Sequence, residues 1–198
     1  MLSLPKHKMT VEEFLAWSEG LPKEAGRFEL WDGEVIEKRG PAGSMNSERS
    51  QHWEAKGAIT RALYEAVKRT GVPGHVATEG PTVRFSAKKA VEPDVLVYFG
   101  ERVARGVLEV PNPAIIVEVL SPSTAKMDLS LKLEGYFSLA SVVHYLVIDP
   151  DKPLIIHHQR GPGETILTTF VATKMLRLDG TSAIPTLDVD LTEIFSLT

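Results

Sequence analysis

The stretch Ala114-Ile-Ile-Val-Glu-Val-Leu120 is the most apolar run of the chain, and Glu118 is its one charged residue. A short run this rich in β-branched residues predicts a strand in a sheet that is covered on both faces. An ionised carboxylate inside such a strand is costly unless it is paired or bound to a cation. The run therefore predicts the centre of a sheet and marks Glu118 as a candidate functional residue.

A second carboxylate, Asp94, stands in a similar setting, between Pro93 and the apolar residues 95–99. If the two runs form neighbouring strands, Asp94 and Glu118 meet at one edge of the sheet. Such a pair suits Mg²⁺, a hard cation that prefers oxygen ligands. The alternative is that each carboxylate lies at a strand end and points into solvent, where most acidic side chains are found.

The rest of the chain alternates helical and strand patterns. Asp32-Gly33, between two alternating apolar runs, predicts an N-terminal β-hairpin over 27–37, because both residues tolerate a positive φ. Apolar residues at helical spacing predict a long helix over 47–70 and a second helix over 123–139, followed by a strand over 142–148. This order predicts a single domain over 1–198, of the α/β or α+β class, with a central mixed sheet flanked by helices.

Composition narrows the classes of function. Of the 198 residues, 43% are hydrophobic and 24% are charged, as in a soluble globular protein. The chain has no cysteine, which excludes disulfides, thiolate nucleophiles and cysteine-based zinc sites. The formal net charge of -4 argues against broad, non-specific nucleic-acid binding, but not against a local basic groove. The first residues contain no apolar stretch of signal-peptide length, so we expect a cytoplasmic protein.

Asp128, Lys132 and Tyr136 are spaced four residues apart and therefore share one face of the second predicted helix. One interpretation is an Asp128–Lys132 ion pair at the surface, worth about 0.3–0.5 kcal/mol. The other is that Lys132 extends from this face towards the carboxylates, where its ammonium group orients the attacking water or offsets phosphate charge. The sequence favours neither interpretation.

Four segments together resemble the Uma-two family of restriction-type endonucleases, which belongs to the PD-(D/E)XK nuclease superfamily. They are Glu92-Pro-Asp-Val-Leu-Val97, Ile116-Val-Glu-Val-Leu-Ser-Pro-Ser-Thr124, Lys132 with Tyr136, and Tyr145-Leu-Val-Ile-Asp-Pro150. The hairpin segment Phe28-Glu-Leu-Trp-Asp-Gly-Glu34 and His52 in the long helix are also similar to that family. The resemblance extends over about 10–150, and it is specific because the motifs occur in combination.

The resemblance implies a restriction-endonuclease-like fold and a metal-dependent phosphodiesterase that hydrolyses DNA. Asp94 and Glu118 are then the metal-binding acids, with the carbonyl of Val119 as a further ligand and Mg²⁺ or Mn²⁺ as the cofactor. The superfamily usually places its lysine two residues after the glutamate, where this chain has Leu120. Lys132, on the following helix, is therefore the expected catalytic lysine.

Three further residues are expected at the site from the same resemblance. Glu29 is an additional acid near the metal, with Glu34 as the second choice. His52 and Tyr136 line the site. The segment Val143-His144-Tyr145-Leu146 departs from the family, which tends to have an acid, an aromatic residue and a tryptophan there, and this departure concerns packing more than chemistry.

Two other functions compete with that of a nuclease. A non-catalytic binding or scaffold protein with the same fold is favoured by Leu120 and by the acidic net charge. A carboxylate-pair hydrolase such as a glycosidase is a third possibility, which the lack of aromatic-rich runs for sugar stacking disfavours. For a nuclease, the expected partners are double-stranded DNA and a second copy of the chain, since two symmetry-related sites often cleave the two strands.

The pair His157-His158 is a poor metal-binding candidate, because adjacent side chains on a strand point to opposite faces. We expect both histidines at exposed or edge positions. His144, which alternates into an apolar strand, is expected to be a core histidine with its hydrogen bonds satisfied.

Overall fold

The apolar runs of the sequence form strands of a central β-sheet. The computed structural model describes residues 3–22, 25–38, 50–78, 80–120, 128–152 and 154–196. The helices are α1 (Val11–Glu19), α2 (Ser50–Thr70), α3 (Asp128–Ser138) and α4 (Thr192–Phe195). The strands are β1 (Phe28–Trp31), β2 (Glu34–Glu37), β3 (Gly74–Thr78), β4 (Val83–Ser86), β5 (Lys89–Val91), β6 (Val95–Phe99), β7 (Ile115–Val119), β8 (His144–Asp149), β9 (Leu154–Arg160), β10 (Ile166–Val171), β11 (Met175–Leu178) and β12 (Leu187–Asp190).

Six strands form the central sheet, in the order β10-β9-β8-β7-β6-β3. Neighbouring strands are antiparallel except β7 and β8, which are parallel. A parallel pair requires a crossover connection, and α3 lies between these two strands in the chain. The mixed sheet with its helices confirms the predicted fold class.

Strand β7 separates two apolar cores. Ile115 and Val117 belong to the core that includes the apolar face of α2, whereas Ile116 belongs to the core that includes Tyr136 of α3. Successive side chains of a strand point to opposite faces, so Glu118 lies on the α3 side. The strand period thus places this carboxylate next to the helix that carries Lys132.

The N-terminal hairpin forms as predicted, but it belongs to a second sheet. Strands β1 and β2 pair from Phe28↔Glu37 to Trp31↔Glu34. The two turn residues, Asp32 and Gly33, have φ values of 50° and 84°, as a two-residue hairpin loop requires. The full order of this sheet is β2-β1-β5-β4. This second sheet was not predicted from the sequence, because β5 has only three residues and is too short to show a strand periodicity.

The two main helices occupy the predicted parts of the chain. Helix α2 begins at Ser50 and α3 begins at Asp128, and the residues predicted to extend them, 47–49 and 123–127, lie outside the described residues. Within the described ranges, no helix is both long and apolar enough to cross a bilayer.

The histidines of β8 and β9 correct one expectation. His144 and His157 are both buried, and Nδ1 of His144 lies 3.0 Å from Nε2 of His157. Nε2 of His144 donates to the Asp179 carbonyl oxygen at 3.0 Å. His158 points to the other face, where its ring stacks on Tyr145. The opposite orientation of the two neighbouring histidines is confirmed, but an exposed position for His157 is wrong, because its ring completes the hydrogen bonding of His144.

We expect the stability of the protein to fall as the pH falls from about 6.5 to about 4. Burial is the main reason why the pKa of His157 is lowered from 6.5 to about 4 in the folded state. Between these values the unfolded chain binds more protons than the folded chain, so acidification favours unfolding. Above this range the histidine is neutral in both states, and its contribution is constant.

Thermal unfolding across this pH range tests the prediction. His157→Gln keeps a hydrogen-bonding side chain but removes the titration, so its Tm should decline less steeply than that of the wild type. His7→Gln, at an exposed position, should follow the wild type. An unchanged slope in His157→Gln would contradict the assignment.

Candidate active site

Asp94 and Glu118 face the same point at one edge of the central sheet. Strands β6 and β7 pair with Val95 opposite Val117, so the next positions in this register, 94 and 118, are opposite each other. Nζ of Lys38 lies 3.6 Å from Asp94 Oδ1 and 3.6 Å from Glu118 Oε2. The two acids are 3% and 6% exposed. The alternative in which each carboxylate points into solvent is therefore wrong.

Asp94 is held by a backbone amide and by lysine side chains. The N–H of Val119 donates to Oδ2 at 2.8 Å, and Nζ of Lys56 lies 3.3 Å from Oδ1. Burial alone would raise the pKa of this carboxyl group, but the ammonium groups of Lys38 and Lys56 and the Val119 amide outweigh it and lower the pKa to about 2. Asp94 is therefore ionised at neutral pH.

Glu118 is held by two side chains of α3. Its Oε1 accepts hydrogen bonds from Lys132 Nζ at 3.0 Å and from the Tyr136 hydroxyl at 2.7 Å. Burial, together with the nearby carboxylate, raises the pKa of Tyr136 well above its ordinary value, so the hydroxyl keeps its proton. Lys132 is 1% exposed, which rules out the interpretation as a surface ion pair. The side chain of Asp128 lies outside the described part of the chain.

Glu29 brings the hairpin sheet to the same cluster. Its Oε1 lies 3.1 Å from Lys132 Nζ and 3.9 Å from Lys38 Nζ, and its Oε2 accepts from Trp31 Nε1 at 3.1 Å. Burial raises the pKa of Glu29, but the two lysines and the Trp31 hydrogen bond lower it by a larger amount. The net shift of the pKa is therefore downward. Glu34, the second choice, is exposed.

His52 lies on α2 and is buried. Its Nδ1 is 3.2 Å from the carbonyl oxygen of Leu120, and because a carbonyl only accepts, Nδ1 carries the proton of this hydrogen bond. His52 also contributes to the lowered pKa of Asp94. Val119 contacts Asp94 through its amide, and the role of its carbonyl as a metal ligand stays a prediction.

Three basic residues of the cluster were not predicted: Arg27, Lys38 and Lys56. The N–H of Lys38 donates to the Arg27 carbonyl oxygen at 2.8 Å, which continues the hairpin register and places both side chains on the same face as Glu29. Lys56 follows His52 by about one helical turn. The hairpin register of Lys38 and the helical spacing of Lys56 can both be read from the sequence. The signal that could have identified these lysines is that buried carboxylates need positive charge nearby.

Among the described residues, the ionic contacts of the cluster join four acidic to four basic side chains. The acids are Glu29, Glu92, Asp94 and Glu118, and the bases are Arg27, Lys38, Lys56 and Lys132. Across the described residues, no group of three or more His, Cys, Asp or Glu side chains is arranged to hold a metal ion, because basic side chains lie between the acids. The donor set still fits a hard cation, since carboxylate oxygens of Asp94 and Glu118 converge on the point that the Lys38 ammonium occupies.

Comparisons with known proteins identify the family and the fold of the chain. The chain matches a family model described as "Uma2: Putative restriction endonuclease" over residues 11–192. It belongs to the Uma2 family. A Synechocystis sp. protein described as uncharacterized is 23% identical over 178 residues, which cover 89% of this chain and 87% of that protein. A crystal structure from Anabaena variabilis, described as "a putative nuclease belonging to DUF820", is 19% identical with a TM-score of 0.67, covering 96% of this chain and 98% of that one. The family match confirms the resemblance, and the structural match confirms the fold.

In this Uma2 family member, a close approach of α3 to β4 sets the position of the α3 side chains. A Cβ atom added at Gly135 would lie 2.2 Å from Cε2 of Phe85. The Phe85 ring in turn meets Tyr136 edge-on, with the ring centroids 5.1 Å apart. Glycine at 135 thus allows α3 to come close enough for Lys132 and Tyr136 to reach Glu118.

Gly135→Ala should destabilise the protein by about 1–3 kcal/mol, because the added methyl group overpacks the contact with Phe85. Gly57→Ala is the matched control in α2. Its Cβ would meet only the flexible end of the Arg61 side chain, at 3.3 Å, so it should be neutral or stabilising by up to about 1 kcal/mol. Urea unfolding measures both variants, and similar free energies of unfolding for the two would show that the approach of α3 is not tight.

Proposed function

We propose that the protein is a metal-dependent endonuclease that hydrolyses phosphodiester bonds of DNA. One observation carries the proposal: two buried carboxylates on neighbouring strands, Asp94 and Glu118, face one cationic point, and the Lys132 amine of a third element lies 3.0 Å from one of them. Membership of the Uma2 family supports this class of reaction. Mg²⁺ or Mn²⁺ is the proposed cofactor.

Asp94 and Glu118 hold the metal ion in this proposal, with the carbonyl of Val119 as a further ligand. A bound divalent cation polarises a phosphoryl oxygen and lowers the pKa of the attacking water. The Val119 amide occupies Oδ2 of Asp94, which orients Oδ1 towards the shared point. The Tyr136 hydroxyl holds Oε1 of Glu118, which leaves Oε2 facing the same point.

Lys132 supplies the positive charge that the reaction needs. Its ammonium group is fixed between Glu118 and Glu29, at 3.0 Å and 3.1 Å, so it requires little reorganisation when negative charge develops on the oxygen atoms of the pentavalent transition state. In this proposal Glu29 positions Lys132, and His52 and Tyr136 line the site.

Double-stranded DNA is the proposed substrate and a homodimer the proposed active form. Cleavage of two antiparallel strands is achieved most simply by two sites related by a twofold axis. The basic side chains paired with the carboxylates suit this substrate, because they reduce the repulsion between the acids and an approaching phosphodiester.

A non-catalytic binding or scaffold protein is the second candidate. Leu120 stands where the superfamily usually has its lysine, and the net charge of the chain is -4. The lysines of the cluster also neutralise the carboxylates, so the fold does not depend on a metal ion for the charge balance of its interior. The two candidates differ in metal binding and in cleavage.

Mg²⁺ or Mn²⁺ should raise the Tm of the wild type, and Asp94→Asn should abolish the rise. A ligand that binds only the folded state stabilises it by about 2.7 kcal/mol at a hundred times its Kd. Scanning fluorimetry at increasing metal concentration gives the shift for each protein. Asp188→Asn, an exposed aspartate of β12, is the control and should keep the rise. If neither ion shifts the wild type, the metal site is refuted.

The wild type should nick or linearise supercoiled plasmid DNA when Mg²⁺ is present. Lys132→Met should lower the rate by about a hundred- to a thousandfold, because a preorganised charge at the transition state is lost. Lys152→Met, at an exposed position, should cleave at the wild-type rate. Equal cleavage by Lys132→Met would reject the catalytic role of this lysine, and binding of DNA without any cleavage would favour the scaffold protein.

A further inference from the structure

Lys38 occupies the point where three carboxylates converge. Its Nζ lies 3.6 Å from Asp94 Oδ1, 3.6 Å from Glu118 Oε2 and 3.9 Å from Glu29 Oε1. It also donates a hydrogen bond at 2.6 Å to the carbonyl oxygen of Glu92. The ammonium group thus supplies positive charge at the point where a cation shared by these carboxylates would bind.

We propose that Lys38 is a displaceable internal cation, which competes with the divalent metal ion for Asp94 and Glu118. This inference rests on the proposed metal-dependent function. A Mg²⁺ ion sits about 2.1 Å from each of its oxygen ligands, so an ion bound by both acids needs the space in which Nζ lies. The ammonium group and the metal ion therefore exclude each other.

Lys38 is better placed to leave the cluster than Lys132. Its side chain is 14% exposed, against 1% for Lys132, and its contacts with the carboxylates are longer. It follows directly after the last residue of β2. A lysine ammonium group on a flexible four-carbon stem can move without a change of the backbone. Lys132, fixed by short contacts to two acids, stays in place.

The competition lowers the affinity of the site for metal. Before a divalent ion binds, the contacts between the ammonium group and the carboxylates must break. The contacts that the carboxylates form with the ion therefore replace contacts that are lost. Removal of the Lys38 charge should therefore tighten metal binding, even though the residue lies beside the proposed ligands. A residue that merely supported the site would have the opposite effect.

Calorimetric titration with Mn²⁺ tests the direction of this effect. Lys38→Met keeps an unbranched side chain without the charge and should bind Mn²⁺ about ten- to a hundredfold more tightly than the wild type, because a positive charge close to both carboxylates no longer repels the ion. Lys56→Met is the charge-matched control: it removes a positive charge 3.3 Å from Asp94. If net charge alone set the affinity, the two variants would tighten equally, whereas competition for the shared point predicts the larger effect in Lys38→Met.

Chemical labelling detects the displacement itself. Acetic anhydride acylates accessible amines, and mass spectrometry of the peptides gives the rate at each lysine. Saturating Mg²⁺ should speed the labelling of Lys38 in the wild type, whereas Lys132 should stay protected with and without metal. Unchanged labelling of Lys38 at metal saturation would overturn the proposal.

The outcomes separate this inference from the function on which it rests. Equal Mn²⁺ affinity in the wild type and Lys38→Met rejects the competition and leaves the metal-dependent nuclease standing. Tighter Mn²⁺ binding by Lys38→Met than by a wild type that also binds supports the competition. Absence of Mn²⁺ binding in both proteins rejects the metal site and the competition together.

Discussion

Carboxylates are costly to remove from water, and this protein buries three of them at one place. Asp94, Glu118 and Glu29 are almost inaccessible to solvent, and an isolated ionised carboxylate in such surroundings would be strongly destabilising. Their charges are compensated by lysines from different elements: Lys38 after β2, Lys56 on α2 and Lys132 on α3. The hairpin sheet, both long helices and the central sheet thus meet at one set of ionic contacts.

The geometry of that set follows from the pairing of two strands. Strand β7 directs Glu118 to the α3 side, contributes apolar side chains to the α2 side, and supplies the Val119 amide that holds Asp94. A shift of one residue in the β6–β7 register would turn every side chain to the opposite face. The site and the apolar cores therefore depend on the same register, and neither can form correctly without the other.

Local sequence pattern predicts part of the site, whereas Glu29, His52, Lys132 and Tyr136 were expected from the family resemblance. The acids Asp94 and Glu118 stand out because they interrupt apolar runs, and Asp32-Gly33 predicts the hairpin through its backbone preference. The second sheet and the burial of His157 depend on pairing between distant segments, which no local pattern reveals. Local pattern predicts the positions of Lys38 and Lys56 only in part. Their spacings are regular, but only the closeness of the carboxylates in space shows why positive charge is needed there.

Pairing of the buried carboxylates with lysines affects how the protein folds. Proteins such as zinc fingers stay unfolded until the ion arrives, because the ion itself holds their ligands together. Here the lysines hold the acids together instead. The acids are therefore neutralised by the chain itself, and the native structure can form in a metal-free buffer.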